Sequence, residues 1–555
     1  MDIQVKNLDH LGIVAGIIDQ IGLVEEIDRQ IEQHPQQIIS TGKVVKAMIL
    51  NGLGFVSAPL YLFSEFFVGK ATEHLLGEGI EPEHLNDDRI GRALDSLSNQ
   101  GLTPLFTSIA MLAHQRFKLT TNSLHLDSSS AGCGSSQVAS SDALSHSALR
   151  LQGSYEIESS IESLESIEGV KITYGYSKDH RPDLKQFMMD VICTGDGDVP
   201  LFIRIGDGNE SDRAIFAQLI QQFKQEWNLD SIYVADSALY GGENIQQLGD
   251  LNWITLVPRS IKTAKILAES IEDEVLVESE IPGYRIASCC CDYGGVHQRW
   301  LIIESEKRLK SDLKQLEKRL TKRLKIVTSQ LKSLMRQDFA CIADAQTAAK
   351  KLSQSWKYHS LESIDIETDA HYSQAGRPTK NQSPENFTYR VTAQVIPVEG
   401  VIEIARRRAG RFILATNVLD EKILPNDEVL TEYKGQQSSE RGFRFLKDPL
   451  FFTSSVFLNT PRRVAALAMV MGLCLLVYTL GQRQLRQALA HSEETIPNQL
   501  KKPTSTPTLR WVFQCFQAVH LVHLNHQLQV SNLTDTRLKI LQILGNPCQK
   551  YYLIC

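Results

Sequence analysis

Along the first 118 residues the apolar positions recur at helical steps of three and four. In "STGKVVKAMILNGLGF" they follow a Ser/Thr cap, so a helix is expected there. "HLNDDRIGRALDSLSNQGL" predicts a second helix, closed by Gly101, and "GLTPLFTSIAMLAHQRF" a third. From Thr121 the rhythm changes to alternation. "NSLHLDSSS" predicts a strand that ends at Asp127. The Ser-rich tract after it holds too little apolar content to pack and is expected to be a loop. Strand signals return in "VKITYGYS", "FMMDVICTG" and "VPLFIRIGDG", and "SDRAIFAQLIQQFKQEW" predicts a helix. "DSIYVADSALYGG" predicts a strand ending at Asp236, "GENIQQLG" a short helix and "NWITLVP" a further strand. Three strands, helix, strand, helix, strand is the order of a mixed sheet with helices on its faces.

After Pro258 the pattern departs from this plan. "SEKRLKSDLKQLEKRLTKRLKIVTSQLKSLMR" predicts a long amphipathic helix lined by Leu309, Leu313, Leu316, Leu320 and Leu324. Between Glu304 and Arg336 there are 11 Lys/Arg against 4 Asp/Glu, so the outer side is either simply solvated or lies along a polyanion. "HYSQAGRPTKNQSPEN" predicts a loop. "FTYRVTAQVIPVEGVIEIARRRAGRFILATN" predicts a strand-rich segment with a basic corner at Arg406, Arg407 and Arg408. "VAALAMVMGLCLLVY", Val464 to Tyr478, is shorter than the roughly 20 residues that span a bilayer. It follows the helix start "NTPRR" and predicts a buried core helix. "SEETIPNQLKKPTSTPT" has the composition of a linker, and "LRWVFQCFQAVHLVHL" predicts a last helix. No internal repeat is found.

A chain of 555 residues is too long for one small core, and two to four domains are expected. A net charge of -7 gives no sign of a nucleic-acid binder and does not exclude one, because binding depends on where charge sits. The run Cys289, Cys290, Cys291 has no second half at zinc-ligand spacing, so reduced thiols are expected. The opening "MDIQVKNLDHLGIV" lacks the features of a signal peptide.

Three carboxylates stand out by position. Asp127 and Asp236 fall at expected strand ends, where open sheets commonly build sites. Glu440 lies in "YKGQQSSERGFRFLKDPLFF" on a stripe with Tyr433, Gln436, Arg444 and Lys447. That spacing stacks the five on one side of a helix. A convergence of three acids would need a divalent cation to relieve their repulsion, and hard oxygen donors suit Mg²⁺ or Mn²⁺. Each residue alone has an ordinary explanation: a turn Asp, a solvated Glu, a surface stripe of Glu–Arg pairs. Both readings of the stripe stay open on these grounds. His180 is assigned a structural role.

The motif from Tyr433 to Lys447 resembles the Tyr-(2)-Arg-(3)-Glu-(6)-Lys signature of the YREK group of bacterial insertion-sequence transposases. The spacing agrees at all four positions, with Gln436 in place of Arg. "HLDSSS" and "VADSALYGGENI" resemble the segments bearing the first two acids of the DDE triad, and "ITYGYSKDHRPDLKQF" and "GDGNESD" resemble the same catalytic domain. The resemblance implies an α/β fold with a ribonuclease-H-like core, a large mainly β insertion, and helical N- and C-terminal regions. The implied boundaries are 1–118, 119–260, 261–410, 411–485 and 486–555. Asp127, Asp236 and Glu440 would be the catalytic, metal-binding triad for two Mg²⁺ ions, with Mn²⁺ as a substitute. Tyr433, Gln436, Arg444 and Lys447 would contact DNA, Arg444 taking part of the charge that Gln436 lacks. The implied partners are the element's terminal inverted repeats and target DNA, bound by a homodimer or higher assembly, with no membrane. The implied location is the bacterial cytoplasm, on the nucleoid when DNA is bound. An inactive DNA-binding derivative and a metal-dependent nuclease without strand transfer are the alternatives.

Overall fold

The computed structural model describes residues 3–55, 63–133, 170–175, 185–372, 383–446, 460–524 and 527–554, with backbone alone at 131–133 and 437–446. The chain divides into two compact units, unit 1 being Met1–Thr255 with Thr431–Cys555 and unit 2 Leu256–Leu430.

Unit 1 opens with the expected helices. They include α1 (Leu11–Ile21), α2 (Leu23–Gln30), α3 (Thr41–Gly52), α4 (Asp87–Gln100) and α5 (Leu102–Phe117). The caps are those the sequence offers: the Ser40 hydroxyl accepts from Lys43 N at 3.2 Å and the Asn86 side chain from Arg89 N at 2.9 Å. Five strands follow in the expected order, β1 (Ser123–Cys133), β2 (Lys185–Thr194) and β3 (Pro200–Gly206), then β4 (Ile232–Ala235) and β5 (Trp253–Leu256). Helix α6 (Asp212–Glu226) joins β3 to β4, and α7 (Gly242–Gln247) joins β4 to β5.

In space the strands run β3-β2-β1-β4-β5. The β1/β2 and β2/β3 pairs are antiparallel, and the β1/β4 and β4/β5 pairs are parallel. Side chains alternate across the sheet. Phe202 of β3 and Tyr233 of β4 meet Phe223 of α6, at 5.9 and 6.3 Å between ring centroids, so α6 covers that face.

Two expectations for this region change. β1 does not stop at Asp127: its pairing with β2 carries it through Ser128, Ser129 and Ser130 to Cys133. The three hydroxyl residues are buried in the sheet, where ladder bonds satisfy the backbone whatever the side chains are. Of "VKITYGYS", the described part forms a single antiparallel bridge, Thr173 to Gln186. His180 and the rest of the Ser-rich tract lie outside the described residues.

Unit 2 is mixed where a mainly β segment is expected. Its hairpin β6 (Tyr284–Tyr293) and β7 (Val296–Ser305) leads directly into α8 (Glu306–Leu334), a helix of 29 residues. Helix α9 (Ile342–Gln354) follows, then a second hairpin of β8 (His359–His371) and β9 (Asn386–Pro397). Helix α10 (Glu399–Arg407) occupies the middle of the segment expected to be strand-rich, before β10 (Arg411–Thr416) pairs with β7. Two small cores hold these pieces. Leu334, Ala345, Ala349 and Val391 form one, and Leu316, Tyr358 and Ile402 the other.

The chain then runs through α11 (Asn426–Leu446) and α12 (Pro461–His491). Among the described residues α12 is long and apolar enough to cross a bilayer, and 83% of its apolar window is buried inside the protein. Its Gly472 fits against Ile203 of β3 and Phe106 of α5, where an added Cβ would lie 2.5 Å from Ile203 Cδ1. The last expected helix stops at Cys515. Ala518 takes a left-handed φ of 62°, and the alternating "HLVHL" becomes a strand, His520–Leu524, paired with Ile3–Asn7.

Candidate functional site

Parallel pairing of β1 with β4 sets Leu126 beside Ala235. Asp127 and Asp236 are the next residues on the two strands, with backbones about 5 Å apart, the spacing of neighbouring strands. Both side chains are half-buried. Asp127 Oδ1 accepts from the Ser128 amide at 2.8 Å. Asp236 Oδ1 accepts from the Ala238 amide at 2.8 Å, and its carbonyl accepts from the Thr255 hydroxyl at 2.7 Å. Each carboxylate is thus oriented by backbone close to it. The strands that carry them are buried and apolar on either side of the acids, including Leu124, Leu126, Val234 and Ala235.

Helix α11 docks on β1 next to Asp127. Gln436 is buried, and its Nε2 donates to the Leu126 carbonyl at 3.4 Å. Gly435 lies over the His125 ring, so close that a Cβ would sit 2.7 Å from His125 Cε1. Glu432 Oε2 lies 3.6 Å from His125 Nε2, an ion-pair distance rather than a hydrogen bond. The His125 ring, with help from Ser123, holds the Glu432 carboxyl below its ordinary value although burial opposes this. His125 is two residues before Asp127 and shares its face of the strand. The contact face of α11 therefore lies on the Asp127 side of the sheet.

Glu440 follows one helical turn after Gln436, on backbone that remains helical to Leu446. The side chains of Glu440 and Arg444, and the whole of Lys447, lie outside the described residues. Tyr433 is half-buried on the docked portion of α11. Among the described residues no three His, Cys, Asp or Glu side chains form a group that could hold a metal. Asp127 and Asp236 are therefore the members of the expected set that the described structure brings together. They are hard oxygen donors held side by side, which fits a divalent cation.

A second buried acid belongs to the other face. Asp190 of β2 opposes Ser128, not Asp127, and pairs with Arg204 Nη1 at 2.9 Å. Burial pushes its carboxyl up to about 6, against the pull of Ser128 and Arg204. It packs behind the sheet and takes no part in the Asp127 site.

His125, Glu432 and Gly435 are absent from the expected site. Gly435 carried a legible signal: a glycine inside a helix costs roughly 1 kcal/mol and marks a close approach when it persists. The pairing of His125 with Glu432 joins residues far apart in the chain and left no local trace.

Residues 158–479, more than half of the chain, match the family model described as transposase DDE domain. The chain belongs to this transposase family. It is a family of DNA phosphoryl-transfer enzymes that generally use divalent metal ions. The matched span includes Asp236 and Glu440 and begins after Asp127. Residues 3–111 match a second model, described as a domain of unknown function (DUF4277). No curated protein matches the chain. Among solved structures, the piggyBac transposase in a synaptic complex with hairpin DNA aligns with 93% of this transposase and 82% of its own chain, at 7% identity and a TM-score of 0.37.

Proposed function

We propose that this transposase binds the terminal inverted repeats of a bacterial insertion sequence of the YREK group and catalyses DNA strand cleavage and strand transfer. The observation that carries the reading is the placement of Asp127 and Asp236 at neighbouring positions of parallel strands, with α11 docked beside the first. A five-stranded sheet with three antiparallel strands, two parallel ones and the order β3-β2-β1-β4-β5 supports a ribonuclease-H-like core. Unit 2 would then be its insertion.

Asp127, Asp236 and Glu440 would hold two Mg²⁺ ions, or Mn²⁺ in their place. Such ions supply Lewis acidity to the attacking and leaving oxygens of a phosphodiester exchange. The chain's own contribution is to fix the donors. The Ser128 and Ala238 amides orient the two aspartates. Gln436, expected to touch DNA, instead serves the docking of α11 through Leu126. The remaining contacts with DNA fall to Tyr433, Arg444 and Lys447. In the first step water attacks phosphorus and the P–O bond breaks to free a 3′-OH. In the second that 3′-OH attacks a target phosphodiester, the new P–O bond forms, and a target 3′-OH leaves. A homodimer or higher assembly would bridge two element ends, in the bacterial cytoplasm.

The test is incubation of the protein with a terminal-repeat duplex and Mg²⁺ or Mn²⁺, beside Asp236→Ala. Nicked and joined products from the unaltered protein alone support the reading. Nicks without joined products reduce it to a nuclease. Binding without metal-dependent nicks reduces it to an inactive derivative.

A further inference from the structure

We propose that the outer face of α8 docks the sugar-phosphate backbone of duplex DNA, an inference that rests on the chain acting on DNA. The inner seam of this helix is apolar: Leu316, Val327, Leu331 and Leu334 are buried. On the opposite side stand Lys307, Lys314, Lys318, Lys325 and Lys332, in steps of seven, four, seven and seven. At 3.6 residues per turn these five fall within about 40° of one another around the helix axis. All five are exposed. Lys310 and Lys322 flank them, and the positions between are filled by Ser311, Thr321 and Ser329.

A merely solvated helix face interleaves acids and bases at steps of four. Here the acids are off the stripe and engaged elsewhere. Glu306 pairs with Lys310 at 2.5 Å. Asp312 lies 3.9 Å from Arg308 Nε and accepts from the Gly410 amide at 3.0 Å. No stripe lysine forms a salt bridge among the described residues, whereas Arg406 and Arg407 of the neighbouring α10 share Glu403 at 3.6 and 3.7 Å. A chain with net charge -7 thus concentrates unpaired cations on one line.

From Lys307 to Lys332 the line is about 38 Å long at 1.5 Å per residue. One turn of duplex is about 34–36 Å. A straight rod of that length, laid along the duplex, meets the same strand's backbone at both ends. Lysine acts as a point charge on phosphate and reads no base edge, so the contact is independent of sequence.

The full-length protein is titrated into a labelled random-sequence duplex across a salt series, read by fluorescence anisotropy. Lys314→Gln/Lys318→Gln/Lys325→Gln/Lys332→Gln is expected to flatten the log–log salt slope by about 3, near 0.9 per phosphate lost, and to weaken binding about a hundredfold at low salt. An off-stripe control, Arg319→Gln/Arg323→Gln/Lys350→Gln/Lys351→Gln, is expected to change it less than about threefold. Lysine acetylation footprinting of the unaltered protein is the second measurement, and duplex is expected to protect the stripe. Equal losses in both variants, or a stripe that acetylates equally with and without duplex, overturn the proposal and leave the transposase reading standing. Protection by RNA or by anionic phospholipid vesicles in place of DNA overturns it too. An unaltered protein that binds no duplex overturns both readings together.

Discussion

Around Asp127 in unit 1, polar groups are enclosed. His125 lies under Gly435, Gln436 reaches a strand carbonyl, and Asp190 and Arg204 pair behind the sheet. On α8 of unit 2 the polar groups are five exposed lysines set away from carboxylates. An enclosed polar group must keep its partner, because an unpaired one bears its full desolvation cost. An exposed lysine has water as a partner and loses little on substitution. Fold and chemistry should therefore fail together near the sheet, whereas charge on α8 should be removable with loss of DNA affinity alone.

The largest effect expected is at Asp236. Asp236→Asn keeps an acceptor for the Ala238 amide but removes a charge, so DNA cleavage should fall about a thousandfold while DNA binding and thermal unfolding change little. The four-lysine variant of α8 should do the reverse and cleave at an unchanged rate once DNA is saturating. A large loss of that saturated rate would break the contrast between the two regions.

Burial also gives unit 1 a pH dependence. His10 is wholly enclosed, its Nε2 lies 2.8 Å from the Leu53 carbonyl, and its ring stacks on Phe513 at 4.4 Å. Burial lowers its pKa from 6.5 to about 4. Between those values the folded chain binds fewer protons than the unfolded chain, so this contribution to stability is present above pH 6.5 and lost as pH falls toward 4. At about 1.4 kcal/mol per unit the loss is about 3 kcal/mol. Denaturant unfolding at pH 7, 5.5 and 4 should show it, and His10→Gln should flatten the curve. An unaltered slope in the variant assigns the acid sensitivity elsewhere.

A buried cation gives a somewhat smaller effect. Lys46 Nζ sits 2.7 Å from Asp19 Oδ1 and 2.9 Å from the Tyr551 hydroxyl, which ties the C-terminal residues to α1 and α3. Lys46→Met would leave Asp19 with Tyr551 at 2.6 Å and Lys550 at 2.7 Å, so the cost should be about 2 kcal/mol rather than that of an uncompensated charge. Any single stripe lysine changed to Gln should cost less than about 0.5 kcal/mol in the same unfolding experiment.

The strand and helix order of the sheet was legible because each core element carries its own period. "YVAD" and "SDRAIFAQLIQQF" announce β4 and α6 without help from distant residues. The extent of β1 was not, because Ser128 to Ser130 have the composition of a loop and are made strand by their pairing with β2. Helix α10 was missed for a related reason: Val401, Ile402 and Ala405 become a helix face by packing on Leu316, and locally they suit a strand equally well. In the candidate site, Asp127 and Asp236 were found from position and resemblance. His125 and Glu432 were not, since the sequence shows a strand histidine and a helix glutamate but not their meeting.

That meeting suggests the finest test of the enclosed region. In an isolated helix, Gly435→Ala would stabilise by roughly 1 kcal/mol, through lower backbone entropy in the unfolded chain. Here the added methyl would sit 2.7 Å from His125 Cε1, closer than real Cβ contacts allow. Either α11 lifts from β1 or the ring gives way, at a cost of about 1–2 kcal/mol against the intrinsic gain. A lifted α11 would carry Glu440 with it, so cleavage should drop by more than the stability change accounts for. His125→Ala opens space beneath the helix, and the double variant His125→Ala/Gly435→Ala should recover part of the cleavage that Gly435→Ala loses. A double-mutant cycle on cleavage rate reads this coupling, with about 1 kcal/mol expected. Additive losses would mean that α11 finds its seat on β1 without regard to the ring, and the enclosed site would then be held no more tightly than the lysines of α8.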